Sequence, residues 1–395
     1  MGVFTMNVLI YRYGSICETD IIECLMEFGL HVDSITEEIT NKQLSGTEVL
    51  SLVQNMLDKK NYDFVFTINF FPLISEICNI YHIFYLSLIV DSPVLELYSK
   101  SISNSYNKIF IFDKTLYEEF HAYNPNGIFH LPLATNVNRW DQIIASFPQS
   151  QHRNFSKKIS FVGSLYTEKC PYDHLIFSTD YIHGYIEGIC HAQEKIYGYY
   201  FIQELLDSNL VQEIISSSPN FYKFPEYSRP DNAAVLAQYY IGSRITVLER
   251  SHLLNILGTH FPVDLYTGSD TSSLPVISHG TVKTHSEMPI IFHESQINLN
   301  FTAKSIRSGI PLRVWDILGC HGFLISNYQN EIMDYFSPGE DLIVYSSEEE
   351  LVDLCNYYLS HPKQCREIAE NAYQKVKSQH TYQIRLSQIL KAAFL

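Results

Sequence analysis

The chain has 395 residues, a formal net charge of −16, and 46 % hydrophobic against 18 % charged residues. That balance supplies large cores and argues against a disordered chain. It also argues against a nucleic-acid binder, which needs a basic face, because no basic run extends beyond Lys157-Lys158. No apolar run reaches the ~18 residues of a membrane span; the longest, Ile80 to Val90, is broken by His82 and Ser87.

The residues from Met1 to Asn7 lack the basic region of a signal peptide. The eight cysteines form no C-x-x-C pair and several sit in apolar surroundings, so we read them as reduced and buried, and the protein as cytoplasmic. The length suggests two domains.

Up to about residue 135 strands and helices alternate. Asn7–Tyr11 reads as a strand turning at Tyr13-Gly14-Ser15, with helical spacing through Ile21, Ile22, Leu25 and Phe28. Val32–Ile35, Asp63–Ile68, Phe84–Val90, Lys108–Phe112 and Ile128–Leu131 are further strands, with helices at Val49–Leu57, Pro72–Ile80 and Lys114–Ala122. Such alternation implies a parallel sheet covered on both faces, with ligands at the carboxyl ends of its strands. Those ends carry Gly14, Asn69, Asp91 and Asp113.

Residues 148–158 are polar and aperiodic, the composition of an interdomain linker. Lys158–Val162 opens a second series, turning at Gly163-Ser164. About 172–243 the spacing is helical and rich in Tyr, an insertion. Alternation resumes with a helix at Thr246–Leu257 and a strand at Val263–Thr267 ending in Gly268-Ser269-Asp270. A helix at Glu287–Ser295, strands at Ile297–Phe301 and Leu342–Tyr345, and helices at Glu348–Leu359, Pro362–Ser378 and Thr381–Phe394 follow. The expected architecture is α/β: two Rossmann-like domains, 1–147 and 159–378, facing across a cleft, with 379–395 as a C-terminal helix packing back on the first.

The most informative stretch is Asn298 to Ser326. It reads as strand, glycine turn at Ser308-Gly309-Ile310, short helix with Pro311 in its first turn, then Gly319 and Gly322 before an apolar strand. A helix opening at such a turn offers N–H groups and a positive dipole end to an anion. Arg313 and Asp316 are three apart and share a face. A cation and a carboxylate there suit a ligand with phosphates and hydroxyls, as in a sugar nucleotide.

These residues resemble a known family. Ile-Asn-Leu-Asn at 297–300, Gly-Ile-Pro-Leu-Arg-Val-Trp-Asp at 309–316, Gly-Phe-Leu-Ile-Ser at 322–326, Pro-Gly-Glu-Asp-Leu at 338–342, His361-Pro362 and 380–385 are similar to the C-terminal half of CgeB-like glycosyltransferases. Phe66–Pro72, Val90–Pro93 and Leu131–Asn136 resemble the domain often found upstream of it in bacteria. The resemblance implies the GT-B fold and transfer of a sugar from a nucleotide diphosphate, UDP favoured, to a protein or glycan acceptor such as flagellin. In the wider family of retaining GT-B transferases the loop and helix carry Glu-x7-Glu. Asp316 stands at the second acid, which holds the ribose, and Ser308 at the first, which contacts the sugar, so the stereochemical outcome stays open.

On this reading the donor site comprises Gly163, Ser164, Gly268, Ser269, Asn300, Thr302, Ser308, Gly309, Ile310, Arg313 and Asp316. Arg313 neutralises diphosphate through its planar fork of donors. Lys169 is a weaker phosphate candidate, more simply a solvated surface group. The acceptor side comprises Gly14, Asn69 and Asp91, with Asp91 as general base; its plain alternative is a cap on the turn before Pro93. Asn136 is a further hydroxyl-binding candidate. His279, His285 and His293 lack metal-ligand spacing and no D-x-D lies at a strand end, so no metal or other cofactor is expected. Two rivals stand beside this reading: a sugar-nucleotide epimerase on the same fold, and a transferase-like subunit that only binds.

Overall fold

The computed structural model describes residues 6–148 and 155–394; most of the expected linker, 149–154, lies outside them. The chain forms two compact units. The first takes the chain up to Leu133 together with Phe224–Pro230 and the residues from Thr381; the second takes Ala134–Lys223 and Asp231–His380.

The first unit is built on six parallel strands: β1 (Asn7–Tyr11), β2 (His31–Ile35), β3 (Phe64–Ile68), β4 (Phe84–Ile89), β5 (Asn107–Ile111) and β6 (Ile128–His130). Their order is β2-β1-β3-β4-β5-β6. The central strands are continuous apolar runs because helices cover both faces; all five residues of β3, Phe-Val-Phe-Thr-Ile, are buried. The helix Tyr382–Phe394 belongs to this unit, and its Phe394 ring packs 5.6 Å from Phe64 and 5.4 Å from Phe84. Residues 224–230 join it through an antiparallel bridge between Ser99 and Ser228 and through Arg229, which donates to the Ser99 carbonyl at 3.3 Å.

The second unit repeats the plan with β7 (Ile159–Val162), β8 (Val263–Tyr266), β9 (Ile277–Ser278), β10 (Ile297–Asn300), β11 (Leu324–Asn327) and β12 (Ile343–Tyr345). All pairs are parallel, in the order β12-β11-β10-β7-β8-β9. One core cluster covers a single face of the sheet, where the register partners Phe161, Leu265, Leu299 and Ile325, with Ile159 two residues from Phe161, pack with Leu253, Leu257 and Ile368.

Between β7 and β8 the chain is mainly helical, with Asp180–Glu194, Ser208–Ser217 and a long helix that passes through a π segment, Val235–Ile241, into Gly242–His260. That last helix starts earlier and ends later than its apolar spacing suggests. Gly242, Thr246, Glu249 and Arg250 are buried along it as well as its leucines, so no single apolar stripe marks its ends. A further helix spans Val137–Ser146, where the sequence offered little periodicity. All eight cysteines are buried and free. Among the described residues no helix is long and apolar enough to cross a membrane.

Candidate functional site

In the first unit the turn after β1 is built around an internal anion. Glu18 Oε1 accepts hydrogen bonds from the backbone N–H groups of Tyr13, Gly14 and Ser15 at 2.9, 2.9 and 3.0 Å. Its other oxygen accepts from Arg12 Nε at 3.1 Å. Glu18 is 2 % exposed. Gly14 has φ +95°, a left-handed conformation that glycine adopts without a Cβ penalty. The Gly14 loop, expected on the acceptor side, is therefore shaped to hold its own carboxylate.

Beside it, Asn69 and Asp91 form a polar couple. Asn69 has φ +56°. Its Nδ2 donates to Asp91 Oδ2 at 2.6 Å and to Tyr13 Oη at 2.9 Å, while its Oδ1 accepts from the N–H groups of Val90 and Asp91 at 3.0 and 3.3 Å. Asp91 is exposed, with one carboxylate oxygen held and oriented. Burial, and then the charge of Asp91, push the Tyr13 phenol well above its ordinary value, so Tyr13 stays a neutral hydrogen-bonding group. Asn136 instead caps the helix Val137–Ser146 by accepting from the Arg139 N–H at 3.1 Å.

In the second unit the loops after β7 and β10 meet on one buried cation. Arg250, 9 % exposed, reaches from the helix Gly242–His260 and donates from Nη1 to the Ser164 carbonyl at 2.5 Å and from Nη2 to the Phe301 carbonyl at 2.6 Å. It thereby ties the loop after β7 to the loop after β10. Its Nε has no hydrogen-bond partner, and among the described residues no carboxylate lies within ion-pair distance of its guanidinium. A Cβ added at Gly163 would stand 4.0 Å from Nη1. Burial works against the guanidinium's charge; Tyr166 and the Glu249 carboxylate favour it, and nearby Arg313 opposes it. A buried charge without an acid in contact is costly, and the two guanidiniums oppose each other's charge.

Arg313 lies on the short helix Leu312–Gly319. Its Nη1 is 2.6 Å from Met288 Sδ and its guanidinium sits 5.4 Å from the Phe292 ring centre. Pro311 is the residue before that helix rather than part of its first turn. Asp316 is 6 % exposed and accepts at 2.7 Å from Thr135 Oγ1, which in turn accepts from Trp140 Nε1 at 2.7 Å. Ser308 Oγ donates to the buried Glu331 at 2.8 Å, and the Gly309 carbonyl accepts from Gln329 Nε2 at 3.2 Å. Ile310 is buried, and its carbonyl accepts from Trp315 Nε1 at 3.3 Å. Both positions of the acidic pattern thus already have protein partners.

The other expected donor residues divide into frame and lining. Glu168 accepts from Ser164 Oγ at 2.9 Å and from Ser269 Oγ at 2.6 Å, joining the loops after β7 and β8. Burial raises its pKa, but the hydrogen bond from Ser269 and those behind it outweigh that and lower it. Gly268 is exposed beside Thr281. Asn300 is buried and donates to Thr302 Oγ1 at 3.0 Å and Ser326 Oγ at 2.9 Å, a strut between β10 and β11. Lys169 is exposed over the Tyr166 ring at 4.7 Å.

Next to these ends, a small cavity is lined by Thr302, Lys304, Arg307 and Asn327 on one side and Tyr197 to Tyr200 on the other. Gly198 has φ +76°, its carbonyl accepts from Asn330 Nδ2 at 2.9 Å, and a Cβ there would meet Tyr328 at 2.6 Å. Close packing and backbone conformation both demand glycine, so the Tyr-rich segment lies tightly on the strand ends. Buried Lys304 pairs with Glu249 at 3.1 Å and lies 4.1 Å from the Tyr197 ring centre.

The three histidines each have protein partners: His279 with Asp264 at 2.6 Å, His285 against the Trp140 ring, and His293 with the Cys320 carbonyl at 3.1 Å. Arg250, Lys304 and Tyr197 escaped the sequence reading. In Leu-Glu-Arg-Ser-His an arginine on a helix looks like a solvated charge. No local signal separates it from one.

Residues 244–391 match the model of a family described as glycosyl transferase-like. No curated protein matches the chain. Among solved structures, the sucrose-phosphate synthase of Thermosynechococcus elongatus superposes with a TM-score of 0.56 at 11 % identity, covering 98 % of this chain and 99 % of its own. A glycosyltransferase from Rickettsia africae gives 0.56 at 11 %, covering 99 % and 98 %. HepE of Anabaena, in complex with UDP and glucose, gives 0.54 at 10 %, covering 98 % of each chain. These similarities establish the two-sheet GT-B fold. The matched segment carries the likeness to glycosyl transferases, and the chain as a whole shares the fold of these structures.

Proposed function

We propose that the chain transfers a sugar from a nucleotide diphosphate, most simply UDP, to an acceptor hydroxyl, and that the diphosphate binds at Arg250. The observation that carries this is the buried guanidinium of Arg250, bonded to two carbonyls, with Nε unpartnered and no carboxylate within ion-pair distance among the described residues. A diphosphate is the counter-ion such a site lacks. Arg313 supplies a second cation, and the helix Leu312–Gly319 adds its positive end. Two similar proteins lend support from outside: HepE is solved with UDP and glucose, and a trehalose-phosphate synthase from Burkholderia xenovorans is described as UDP-forming.

During transfer the bond between the sugar's anomeric carbon and the diphosphate oxygen breaks, and a bond to the acceptor oxygen forms. Charge grows on the leaving diphosphate. Guanidiniums placed before the reaction stabilise that charge without reorganising, the role a divalent cation plays elsewhere. We therefore propose transfer without a metal: activity withstands EDTA. Asp91, oriented by Asn69, is the group we assign to accepting the acceptor's proton. The CgeB-like assignment, a protein or cell-surface glycan as acceptor, a bacterial source and a cytoplasmic setting belong to this same proposal and rest on the sequence resemblance.

Calorimetric titration with UDP tests the central claim. The native chain binds, Arg250→Gln weakens binding on the order of 10²-fold, as for a truncated buried charge contact, and Arg250→Lys keeps part of it. UDP affinity unchanged in Arg250→Gln, with the variant folded by circular dichroism, sinks the assignment.

A further inference from the structure

The second unit carries another cavity at the opposite edge of its sheet. Lys158 directly precedes β7, Gln296 precedes β10 and Phe323 precedes β11, so the cavity opens at the amino ends of the strands. It measures about 350 Å³, within the range of small-molecule sites. None of its lining residues belongs to the Arg250 region.

Its walls are basic in a chain of net charge −16. Lys157, Lys158, Arg366 and His293 line it, and Glu294 is the acidic residue among the described lining residues. Lys157 is committed to Asp264 at 3.3 Å, while Lys158 donates to the neutral Gln296 Oε1 at 3.2 Å. Arg366 is exposed on the first turns of the 18-residue helix Pro362–Gln379, whose opening residues Pro362 and Cys365 also face the cavity. Pro362 has no N–H and the Cys365 N–H donates to the His361 carbonyl at 3.2 Å, so this helix contributes its positive dipole end rather than free N–H groups. His321 is held by Glu370 at 3.0 Å and Asp141 at 3.7 Å. His293 is anchored through Nδ1 to the Cys320 carbonyl, which leaves Nε2 for a ligand.

A second, independent feature points to a ligand. Ser295 lines the cavity, is only 5 % exposed, and its hydroxyl has no hydrogen-bond partner among the described residues. A buried polar group without a partner is rare and disfavoured. We propose that this cavity binds a phosphorylated sugar: the phosphate between Lys158, Arg366 and the start of the helix Pro362–Gln379, and the hydroxyl-bearing part against Ser295 and His293. The site is separate from the donor site, and it fits a small anion drawn from the pool that supplies or follows sugar-nucleotide chemistry.

Calorimetry on the full chain with ribose 5-phosphate, inorganic phosphate and ribose tests this. Ribose 5-phosphate binds more tightly than phosphate, and ribose alone does not bind. The double variant Lys158→Ala, Arg366→Ala weakens ribose 5-phosphate at least tenfold while UDP affinity stays at the native value; both residues are exposed, and an unchanged melting temperature confirms the fold. Ser295→Ala weakens ribose 5-phosphate but not phosphate. No binding of either phosphate compound overturns the proposal, as does equal affinity for both. Binding that survives the double variant but vanishes in Arg250→Gln also overturns it, since the anion then sits at the other edge. Loss of UDP binding in Arg250→Gln with intact ribose 5-phosphate binding supports both sites independently.

Discussion

The two units use one plan and give the corresponding edge opposite charge. In the first, the turn after β1 aims three N–H groups inward, the geometry that receives phosphate in many α/β proteins, and fills it with Glu18. In the second, the loop after β7 aims a carbonyl at Arg250, and among the described residues no carboxylate stands within ion-pair distance of that cation. One strand end carries an anion held by backbone N–H groups; the other carries a cation held by backbone carbonyls. A parallel sheet therefore does not by itself make a phosphate site. What occupies the first turn decides.

That contrast breaks most visibly at the chemistry. Asp91→Asn lowers turnover by about 10²–10⁴-fold, the usual worth of a general base, and leaves UDP affinity as it was; unchanged turnover would take proton transfer away from the first unit. Arg250→Gln does the reverse, costing UDP affinity on the order of 10²-fold. Glu18→Gln leaves UDP affinity alone and lowers unfolding free energy by about 2 kcal/mol, since charge-assisted hydrogen bonds contribute roughly 1.5–3 kcal/mol. Denaturant melting measures this, and a loss of UDP binding instead would mean that the first unit holds the nucleotide. Gly198→Ala costs about 1–2 kcal/mol from the left-handed backbone alone, plus its contact with Tyr328, and it weakens the packing of the Tyr-rich segment on the strand ends.

The smallest effect is a control in the first unit. Hydrogen bonds from Lys60 and Tyr62 hold the Asp33 carboxyl below its usual range. Its folded pKa is depressed, so its contribution is complete above the unfolded value and fades as pH falls through the folded one. Both side chains of the Lys60 pair are 38 % exposed, so solvent screening keeps the effect under about 1 kcal/mol. Asp33→Asn is slightly less stable than the native chain at neutral pH, and the gap closes on acidification. A gap that widens in acid contradicts the shift.

Much of the fold was legible because burial leaves a period in the sequence. The run Phe64–Ile68 is apolar at every position because both faces of its strand are covered, and Glu348–Leu359 shows its helix through its cap and apolar spacing. The helix Gly242–His260 shows where that reading weakens: its buried face includes Gly242, Thr246, Glu249 and Arg250, so polarity no longer marks exposure. At the candidate site, the sequence directed attention to Asp316 and Ser308. The fold gives them Thr135 and Glu331 as partners, from 181 and 23 residues away.

The alternation of strands and helices, the parallel pairing it implies and the glycine turns after β1 and β7 follow from local pattern, since hydrophobic period and backbone conformation act over a few residues. Which charges are left without partners does not. It depends on what the folded chain brings within about 4 Å, where low dielectric makes a missing counter-ion costly. Arg250 became the centre of the second unit's strand ends only when a helix from one stretch met loops 86 and 51 residues away.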